Sequence, residues 1–396
     1  MNKIYNISVY LYIILIQISA LFKSKSKLWV QGRKDVFTRI EQAVKNNKNI
    51  VWFHCASLGE FEQGKPIIKA YKLKHPKHKI LLTFFSPSGF EASKRTNLAN
   101  WVFYLPADTK KNAKRFIHIV KPKKAIFIKY EFWFNYISAL NNNNIPFYSV
   151  STIFRDGHAL LKHKWFTKQL QYVTHFFVQD KKSEKLLRTK GFNNISVSGD
   201  TRFDSVIANT QDPIQIPLLE IFSKNKKTIV CGSTWPKDEL LLISHIKNHP
   251  ENNYIIAPHE LRNVPKLKRK INALLYSDIN ETNILTNNVI IINNIGLLSN
   301  IYQYGNLAYI GGGFNAGIHN ILEAVAFGLP VIFGPKYQKS NEAISLINKK
   351  GAISIYNYQE LKSAINILSK FNNSIALNYI AKNSGATNKI LPLISE

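Results

Sequence analysis

The chain has 396 residues, which is too long for one ordinary hydrophobic core and suits two domains of about 150–200 residues each. With 45% hydrophobic and 19% charged residues the composition excludes an intrinsically disordered protein, and two cysteines exclude a disulfide scaffold and a multi-cysteine zinc cluster. The formal charge of +29 favours anionic partners such as nucleic acid, anionic lipid or phosphorylated ligands, without selecting one of them.

The N-terminal segment is the first element in chain order. Residues 5–22 carry no charge, Lys3 precedes them, and a cluster of basic residues starts at Lys23. This uncharged stretch is just shorter than the about 20 residues that span a bilayer, and its flanking charges favour the cytoplasmic side. We therefore predict a single membrane anchor within residues 1–28. A cleaved signal peptide and a buried core helix are the alternatives.

Two series of short apolar runs follow, alternating with helical patterns as in parallel sheets covered by helices. The first series contains predicted strands at Ile50–Phe53, Ile80–Phe85, Trp101–Leu105, Ala125–Ile128, Pro146–Val150, His175–Val178 and Ile195–Val197. Helices are predicted between them at Phe61–Lys74, Lys110–Val120 and Lys181–Lys190. The second series contains predicted strands at Thr228–Cys231, Tyr254–Ala257, Val289–Ile292, Leu307–Ile310, Val331–Phe333 and Ile353–Tyr356.

The segment 209–217 separates the two series, and its two prolines and lack of periodicity indicate a linker. The predicted fold class is α/β, with two doubly wound Rossmann-like domains at 29–208 and 218–396. In this architecture ligands bind in a cleft at the carboxyl ends of the strands. Cys55 and Cys231 each end an apolar run, so we predict that both thiols are buried.

Two glutamates follow predicted strands of the first domain. Glu60 closes the sequence Ser57-Leu58-Gly59-Glu60 between a strand and a helix, and Glu131 follows the strand at 125–128. A carboxylate at such a strand end can act as a general base for an incoming hydroxyl group. The alternative is structural, because the helix dipole alone favours an acidic residue in the first turn.

The segment Gly199-Asp200-Thr201-Arg202-Phe203-Asp204 follows the last predicted strand of the first domain. Its arginine, Arg202, is a candidate to stabilise negative charge on a substrate or a leaving group. A surface arginine in a turn is the alternative interpretation.

A glycine-rich turn is the strongest local pattern in the second domain. Gly311-Gly312-Gly313 follows a predicted strand, and a helix is predicted to begin near His319. This arrangement suits backbone approach to a nucleotide phosphate, with Glu323 placed to accept hydrogen bonds from ribose hydroxyls. The alternative is that the glycines only pack a helix tightly against the sheet.

Two further strand ends belong to the same candidate nucleotide site. Gly232 and Ser233 end the first strand of the second domain and offer amide and hydroxyl donors to a phosphate, and Pro258-His259 ends the second strand. The histidines have no paired metal-ligand spacing, so we expect no metal.

Two basic segments, 110–124 and 158–173, have interleaved apolar residues, and the first is by default a solvated amphipathic helix. The alternative is contact with an anionic membrane or with the acyl chains of a phosphorylated lipid.

Seven features in this order resemble the 3-deoxy-D-manno-octulosonic acid (Kdo) transferases of lipid A biosynthesis, which are membrane-anchored GT-B glycosyltransferases. They are the N-terminal apolar segment, Ala56-Ser57-Leu58-Gly59-Glu60, Tyr130-Glu131-Phe132-Trp133-Phe134-Asn135, Gly199–Asp204, Gly232-Ser233-Thr234-Trp235, Pro258-His259, and the block from Gly311 to Glu323. Each motif is modest alone, and their order makes the resemblance specific.

The resemblance implies an inverting transfer of Kdo from CMP-Kdo to a lipid A precursor similar to lipid IVA, in lipopolysaccharide core biosynthesis. It implies Glu60 as general base, with Glu131 and Arg202 stabilising the transition state, and neither metal nor cofactor. It implies a place on the anionic cytoplasmic face of the inner membrane and no nucleic-acid partner. The implied CMP contacts are Pro258, His259, Ile295, Gly296, Leu297, Asn320, Ile321, Leu322 and Glu323.

The sequence departs from the family pattern near the nucleotide. Many members have arginine at the position of His259 and glutamate at that of Leu297, so the individual CMP contacts stay open. The alternative functions are a GT-B transferase that uses a UDP-sugar for another envelope lipid and, remotely, a membrane-tethered basic protein that binds nucleic acid.

Overall fold

The computed structural model describes residues 2–396, which fold into two compact units. The first unit comprises the chain up to Ser205 together with Ser384–Glu396, and the second comprises Val206–Asn383. Each unit contains a seven-stranded parallel sheet with helices between successive strands. The predicted α/β class with two doubly wound sheets is confirmed.

The sheet of the first unit has the strand order β3-β2-β1-β4-β5-β6-β7. Its strands are β1 Ile50–Cys55, β2 Lys79–Phe84, β3 Trp101–Tyr104, β4 Lys124–Ile128, β5 Phe147–Thr152, β6 His175–Val178 and β7 Ile195–Val197. All residues of β1, β4 and β5 are buried, because helices cover both faces of a parallel sheet.

The helices of the first unit precede the sheet and connect its strands. They are α1 Asn2–Ser19, α2 Ser24–Arg33, α3 Val36–Val44, α4 Leu58–Lys74, α5 Pro87–Ser93, α6 Lys110–Val120, α7 Phe134–Asn142, α8 Ala159–Lys162, α9 Lys164–Leu170, α10 Lys181–Arg188 and α11 Thr201–Gln211. Helix α11 runs from the first unit into the second and overlaps the segment 209–217 that the sequence marks as a linker.

The sheet of the second unit has the order β10-β11-β9-β8-β12-β13-β14. Its strands are β8 Thr228–Thr234, β9 Asn253–Pro258, β10 Leu274–Leu275, β11 Val289–Ile291, β12 Leu307–Ile310, β13 Val331–Phe333 and β14 Ala352–Ser354. The two-residue edge strand β10 is too short to give a periodic signal and was not predicted.

Eight helices with labels α12 to α19 complete the description of the second unit. They are α12 Pro217–Ser223, α13 Pro236–Asn248, α14 Val264–Lys270, α15 Leu298–Ile301, α16 Leu322–Ala326, α17 Asn341–Asn348, α18 Tyr358–Leu368 and α19 Ser374–Asn383, with 3-10 turns at Leu261–Asn263, Tyr276–Asp278 and Tyr302–Tyr304. Cys231 in β8 and Cys55 in β1 are fully buried, as predicted.

The last helix, α20 Ala386–Ser395, packs on the first unit although the sequence places residues 218–396 in one domain. The carboxylate of Asp204 accepts hydrogen bonds from the amides of Gly385 and Thr387, each at 2.6 Å. Lys124 Nζ donates to the carbonyl of Ile394 at 2.8 Å. Because both ends of α20 are tied to the first unit by long-range bonds, local sequence patterns give no sign of this return.

The prediction of a single N-terminal anchor is wrong. Within residues 2–396 no helix is long and apolar enough to cross a membrane. The 18-residue helix α1 contains Asn6, Ser8 and Gln17, which lower its mean hydropathy, and Tyr5 ties it to the first unit by donating to the Asp108 carboxylate at 2.5 Å. The inner-membrane localisation predicted from this anchor is therefore not supported.

Candidate active site

Glu60 lies in the first turn of α4, directly after β1. Its Oε2 accepts a hydrogen bond from the amide of Ala56 at 2.5 Å, so the carboxylate folds back over the turn between strand and helix. The acidic side chain thereby satisfies an amide that precedes the helix, while the N-cap residue Ser57 makes no side-chain capping bond. The structural role expected from the sequence is therefore present. It does not exclude a chemical role.

The electrostatic surroundings of Glu60 differ from those of an ordinary capping residue. Burial, followed by the negative charge of Glu131, raises the pKa of Glu60 to about 7. Hydrogen bonds from the backbone of Ala56 and Ser57 and the charge of Lys129 act in the opposite direction. A carboxylate with a pKa near neutrality is suited to accept a proton from a hydroxyl group.

Glu131 follows the end of β4, at the edge of the sheet where β1 also ends. Lys129, between β4 and Glu131, adopts a left-handed backbone with φ of 71°, which turns the chain sharply out of the strand. The Glu131 side chain is 13% exposed, and its Oε2 lies 3.5 Å from Nε2 of His54. The structure thus brings Glu60 and Glu131, 71 residues apart in the chain, into one electrostatically coupled cluster.

His54 joins this cluster and was missed by the sequence analysis. It lies within β1 and is fully buried, and both of its ring nitrogens have partners. Nδ1 lies 2.9 Å from Thr83 Oγ1, and Trp133 Nε1 donates to Nε2 at 3.2 Å. The available signal was a histidine inside an otherwise apolar strand, because a buried polar group needs hydrogen-bond partners.

Arg202 forms a close ion pair with Asp200. Its Nε donates to Asp200 Oδ2 at 2.8 Å, and Nη2 lies 2.6 Å from the same oxygen. The guanidinium charge also acts on the pKa of Tyr130, which burial raises. Arg202 therefore lies in a polar turn near the segment that carries Glu131, with part of its charge offset by Asp200.

The glycine-rich turn of the second unit is closely packed against its own sheet. A Cβ atom on Gly313 would lie 2.6 Å from Gly334 Cα, and one on Gly311 would overlap the backbone carbonyl of Ser233. Gly312 has a φ of 91°, in the region that favours glycine. These contacts join the turn to neighbouring strand ends and turns rather than to a helix, so glycine is required here by close backbone packing, and any nucleotide role has to coexist with it.

Asp238 accepts the hydrogen bond of the Gly312 amide, which the sequence analysis predicted to donate to a nucleotide phosphate. Its fully buried carboxylate accepts hydrogen bonds from the amides of Gly312 and Trp235, each at 2.9 Å, and from the Tyr309 hydroxyl at 2.8 Å. Gly311 donates its amide to the carbonyl of Gly232. The amides of Gly311 and Gly312 are therefore used within the protein.

A stack of three rings lies at the carboxyl ends of β8 and β9. The Trp235 and His259 rings are 4.6 Å apart at 21°, and His259 and His319 are 4.5 Å apart at 30°. Trp235 Nε1 donates to His319 Nε2 at 3.0 Å. Burial, with a smaller contribution from His259, lowers the pKa of His319 to about 4, so this ring stays neutral at physiological pH.

The remaining predicted nucleotide contacts lie in turns of the second unit. Ile295 is 89% exposed, next to Gly296, which has a φ of 97°. Asn320 Oδ1 accepts from the Leu322 amide and its Nδ2 donates to Glu323 at 2.9 Å. Because this side-chain turn holds the backbone, α16 starts at Leu322, three residues later than predicted.

The interleaved apolar residues of the two basic segments point into the first unit. On α6, Phe116 and Ile117 belong to its core, and Trp165 and Phe166 of the second segment pack on Phe134. The solvated amphipathic interpretation is the one that these contacts support. Within residues 2–396, no group of three or more His, Cys, Asp or Glu side chains is placed to hold a metal ion.

The chain is similar in sequence to transferases of other organisms. Residues 31–205, most of the first unit, match the family model of 3-deoxy-D-manno-octulosonic-acid transferase. The chain is 28% identical over 79% of its length to 3-deoxy-D-manno-octulosonic acid transferase of Aquifex aeolicus, covering 83% of that protein. It is 28% identical over 86% of its length to the enzyme of the same name from Rickettsia bellii, covering 84% of it.

The fold has solved counterparts of low sequence identity. UDP-GlcNAc 2-epimerase of Neisseria meningitidis, bound to UDP-GlcNAc, aligns with 88% of this chain and all of its own at a TM-score of 0.61 and 15% identity. This similarity concerns the fold alone. The matches in sequence confirm the resemblance predicted from the ordered motifs.

Proposed function

We propose, from the premise that this chain is a glycosyltransferase similar to the Kdo transferases, that it transfers Kdo from CMP-Kdo to a hydroxyl group of a lipid A precursor. The observation that carries the proposal is the coupled carboxylate pair Glu60 and Glu131 at the carboxyl ends of β1 and β4. A glutamate whose pKa is raised to about 7 is suited to act as the base that removes a proton from a sugar hydroxyl.

In the proposed reaction, Glu60 accepts the proton of the acceptor hydroxyl as its oxygen forms a bond to the anomeric carbon of Kdo. The bond from that carbon to the phosphate oxygen breaks, and CMP leaves with the electron pair. Attack opposite the leaving group inverts the anomeric configuration. Positive charge develops on the sugar in the transition state, and the negative charge of Glu131 favours it.

Arg202 has the complementary role in this proposal. Negative charge develops on the departing phosphate, and a guanidinium stabilises a phosphate through paired N–H donors. The ion pair with Asp200 orients the side chain through Nε and Nη2.

CMP is assigned to the second unit. The ring stack of Trp235, His259 and His319 supplies aromatic faces at the strand ends, and Asn320 and Glu323, which are bonded to each other in the turn after His319, supply polar groups. The amide of Gly312 is already bonded to Asp238, so Ser233 is the better candidate for a phosphate contact at this edge. Neither metal nor further cofactor is part of the proposal.

The test measures transfer from CMP-Kdo to a tetra-acylated lipid A precursor by wild type and by Glu60→Gln. Loss of the general base is expected to lower kcat by at least about 100-fold. Glu62→Gln is the matched control, because Glu62 lies on the same helix and pairs with Lys65 with 41% of its side chain exposed. We expect this variant to retain wild-type activity.

Equal activity of wild type and Glu60→Gln would reject Glu60 as the base and keep the donor. No product from folded wild type would reject the Kdo donor, and the same preparation would then be screened with UDP-sugars.

A further inference from the structure

Arg33, the last residue of α2, is a partly buried cation whose hydrogen-bond partners are uncharged. Its nitrogens donate to main-chain carbonyls: Nε to Leu105 at 2.8 Å, Nη2 to Phe85 at 2.8 Å and Nη1 to Trp29 at 3.1 Å. These carbonyls take three of the five N–H groups of a guanidinium. Across residues 2–396 no carboxylate forms an ion pair with Arg33, so its positive charge is not neutralised there.

Three aromatic rings form a cage around this guanidinium. Its Cζ lies 3.8 Å from the centroid of the Trp29 ring and 5.0 Å from those of Phe85 and Tyr104. Burial lowers the pKa of the arginine to about 9, and the groups that act in the opposite direction are tyrosines. The Tyr104 hydroxyl donates to Glu91 at 3.4 Å, but that carboxylate pairs with Lys94 at 2.6 Å. The cage therefore stabilises the cation without supplying a negative charge.

The indole N–H of Trp29 is a second donor in this cage that lacks an acceptor. Trp29 is 5% exposed, and its Nε1 has no hydrogen-bond partner within the described part of the chain, residues 2–396. A buried donor without an acceptor is costly, and a bound ion or ligand is one way in which proteins supply that acceptor. Because Nε1 belongs to the ring on which the guanidinium stacks, one oxyanion can accept hydrogen bonds from both side chains.

The cage lies at the edge of the sheet that carries the carboxylate pair. The two strand-end carbonyls that hold Arg33 directly follow β2 and β3. At the end of β2, the amide of Ser86 donates to the carbonyl of Ala56 at 2.7 Å, and the amide of Ala56 donates to Glu60. Two backbone donors thus connect the cage to the turn that carries the proposed base.

We propose that Arg33 and Trp29 bind a phosphate monoester, which a phosphorylated acceptor places in the cage while its hydroxyl group reaches Glu60. A phosphate group carries the missing negative charge and offers three strong acceptor oxygens, so it can satisfy a guanidinium and an indole N–H together. The assignment of this phosphate to the acceptor rests on the proposed function. The phosphate site itself does not.

The first experiment measures binding without any transfer. The full chain is titrated with glucosamine 1-phosphate, and the Nε–H resonance of Arg33, assigned through Arg33→Gln, is followed by 15N NMR. We expect a saturable shift that unphosphorylated glucosamine does not cause. Trp29→Phe keeps an aromatic face and removes only the N–H, so it should weaken binding by about 2- to 10-fold. No saturable shift up to millimolar glucosamine 1-phosphate would overturn the proposal, whether or not the Kdo assay succeeds.

The second experiment compares a tetra-acylated acceptor with the same lipid after removal of its phosphate groups. Wild type should lose about 10- to 100-fold in kcat/KM on the dephosphorylated lipid. Arg33→Gln should show this loss on the phosphorylated lipid and no further loss on the other. A residue that only held the strand ends would lower activity on both lipids equally, and that outcome would reject the site.

Arg115→Gln is the matched control, since Arg115 also stacks on an aromatic ring of the first unit, that of Phe37 at 4.5 Å. It should keep the wild-type preference for the phosphorylated lipid. If inorganic phosphate saturates the Arg33 shift and wild type shows no preference between the lipids, the ligand is free phosphate and the acceptor assignment is wrong. If Arg33→Gln does not fold, an unchanged lipid preference in Trp29→Phe overturns the proposal.

Discussion

Each unit buries a histidine, and the two side chains differ in whether their ring nitrogens have hydrogen-bond partners. His54 in the first unit has a partner at each ring nitrogen. His245 in the second unit is 2% exposed, and neither of its nitrogens has a hydrogen-bond partner among the described residues. Burial alone therefore says little about the role of a histidine, because the hydrogen-bond partners of its ring nitrogens differ between the two sites.

The same contrast separates the buried acids. Asp238 receives three hydrogen bonds in the interior of the second unit and has the character of a structural residue. Glu60 receives its bonds from one backbone turn and has a pKa raised by burial and by a second carboxylate. The hydrogen bonds of Asp238 hold the glycine-rich turn, whereas Glu60 lies where burial and a second negative charge raise its pKa.

Among the variants that test this contrast, Asp238→Ala should lower the free energy of unfolding most. Asp238→Ala leaves the amides of Gly312 and Trp235 and the Tyr309 hydroxyl without their acceptor in a buried site, which should destabilise the chain by at least about 3 kcal/mol. Urea unfolding of the full chain measures this, with the exposed Asp212→Ala in the same unit as control. A loss below about 1 kcal/mol would show that these groups find other partners.

Alanine substitution of a glycine should destabilise the glycine-rich turn of the second unit but not the turn that carries Glu60 in the first unit. Gly313→Ala places a Cβ atom against Gly334 and should cost about 2 kcal/mol through overpacking. Gly59→Ala meets nothing within 4 Å in the first turn of α4, and alanine should stabilise that helix by up to about 1 kcal/mol. Unfolding curves of the two variants test this, and equal destabilisation would contradict the packing difference.

The smallest effect concerns His245. Burial and the charge of His249 lower its pKa to about 4, so the folded state binds fewer protons than the unfolded state. The contribution of the neutral His245 ring to the free energy of unfolding is then fully present above its unfolded-state pKa of about 6.5. It decreases as the pH falls toward 4, by about 1 kcal/mol between pH 7 and 5.5.

His245→Leu should remove that part of the pH dependence, measured by urea unfolding at the two pH values. His118→Leu, at an exposed position, is the control. An identical pH dependence in wild type and His245→Leu would show that the charged ring is accommodated in the folded state.

Much of the fold could be read from the chain because its strands are continuous apolar runs. The strands His175–Val178, Ile195–Val197, Leu307–Ile310 and Val331–Phe333 and the helix Lys110–Val120 have the predicted limits. At two of the limits that differ, side-chain bonds are involved: Asn320 delays α16, and β1 extends through His54, whose partners come from other elements.

The sequence by itself determined the two parallel sheets, the strand ends that carry Glu60 and Glu131, and the ordered motifs of a glycosyltransferase. Apolar periodicity and turn residues are local properties, so they can be read from the sequence without the tertiary structure. Tertiary structure alone decided that these glutamates share one electrostatic environment, that Asp238 takes the amide of Gly312, and that α20 returns to the first unit. Each of these depends on a contact between residues that are distant in the chain, and no local pattern specifies such a contact.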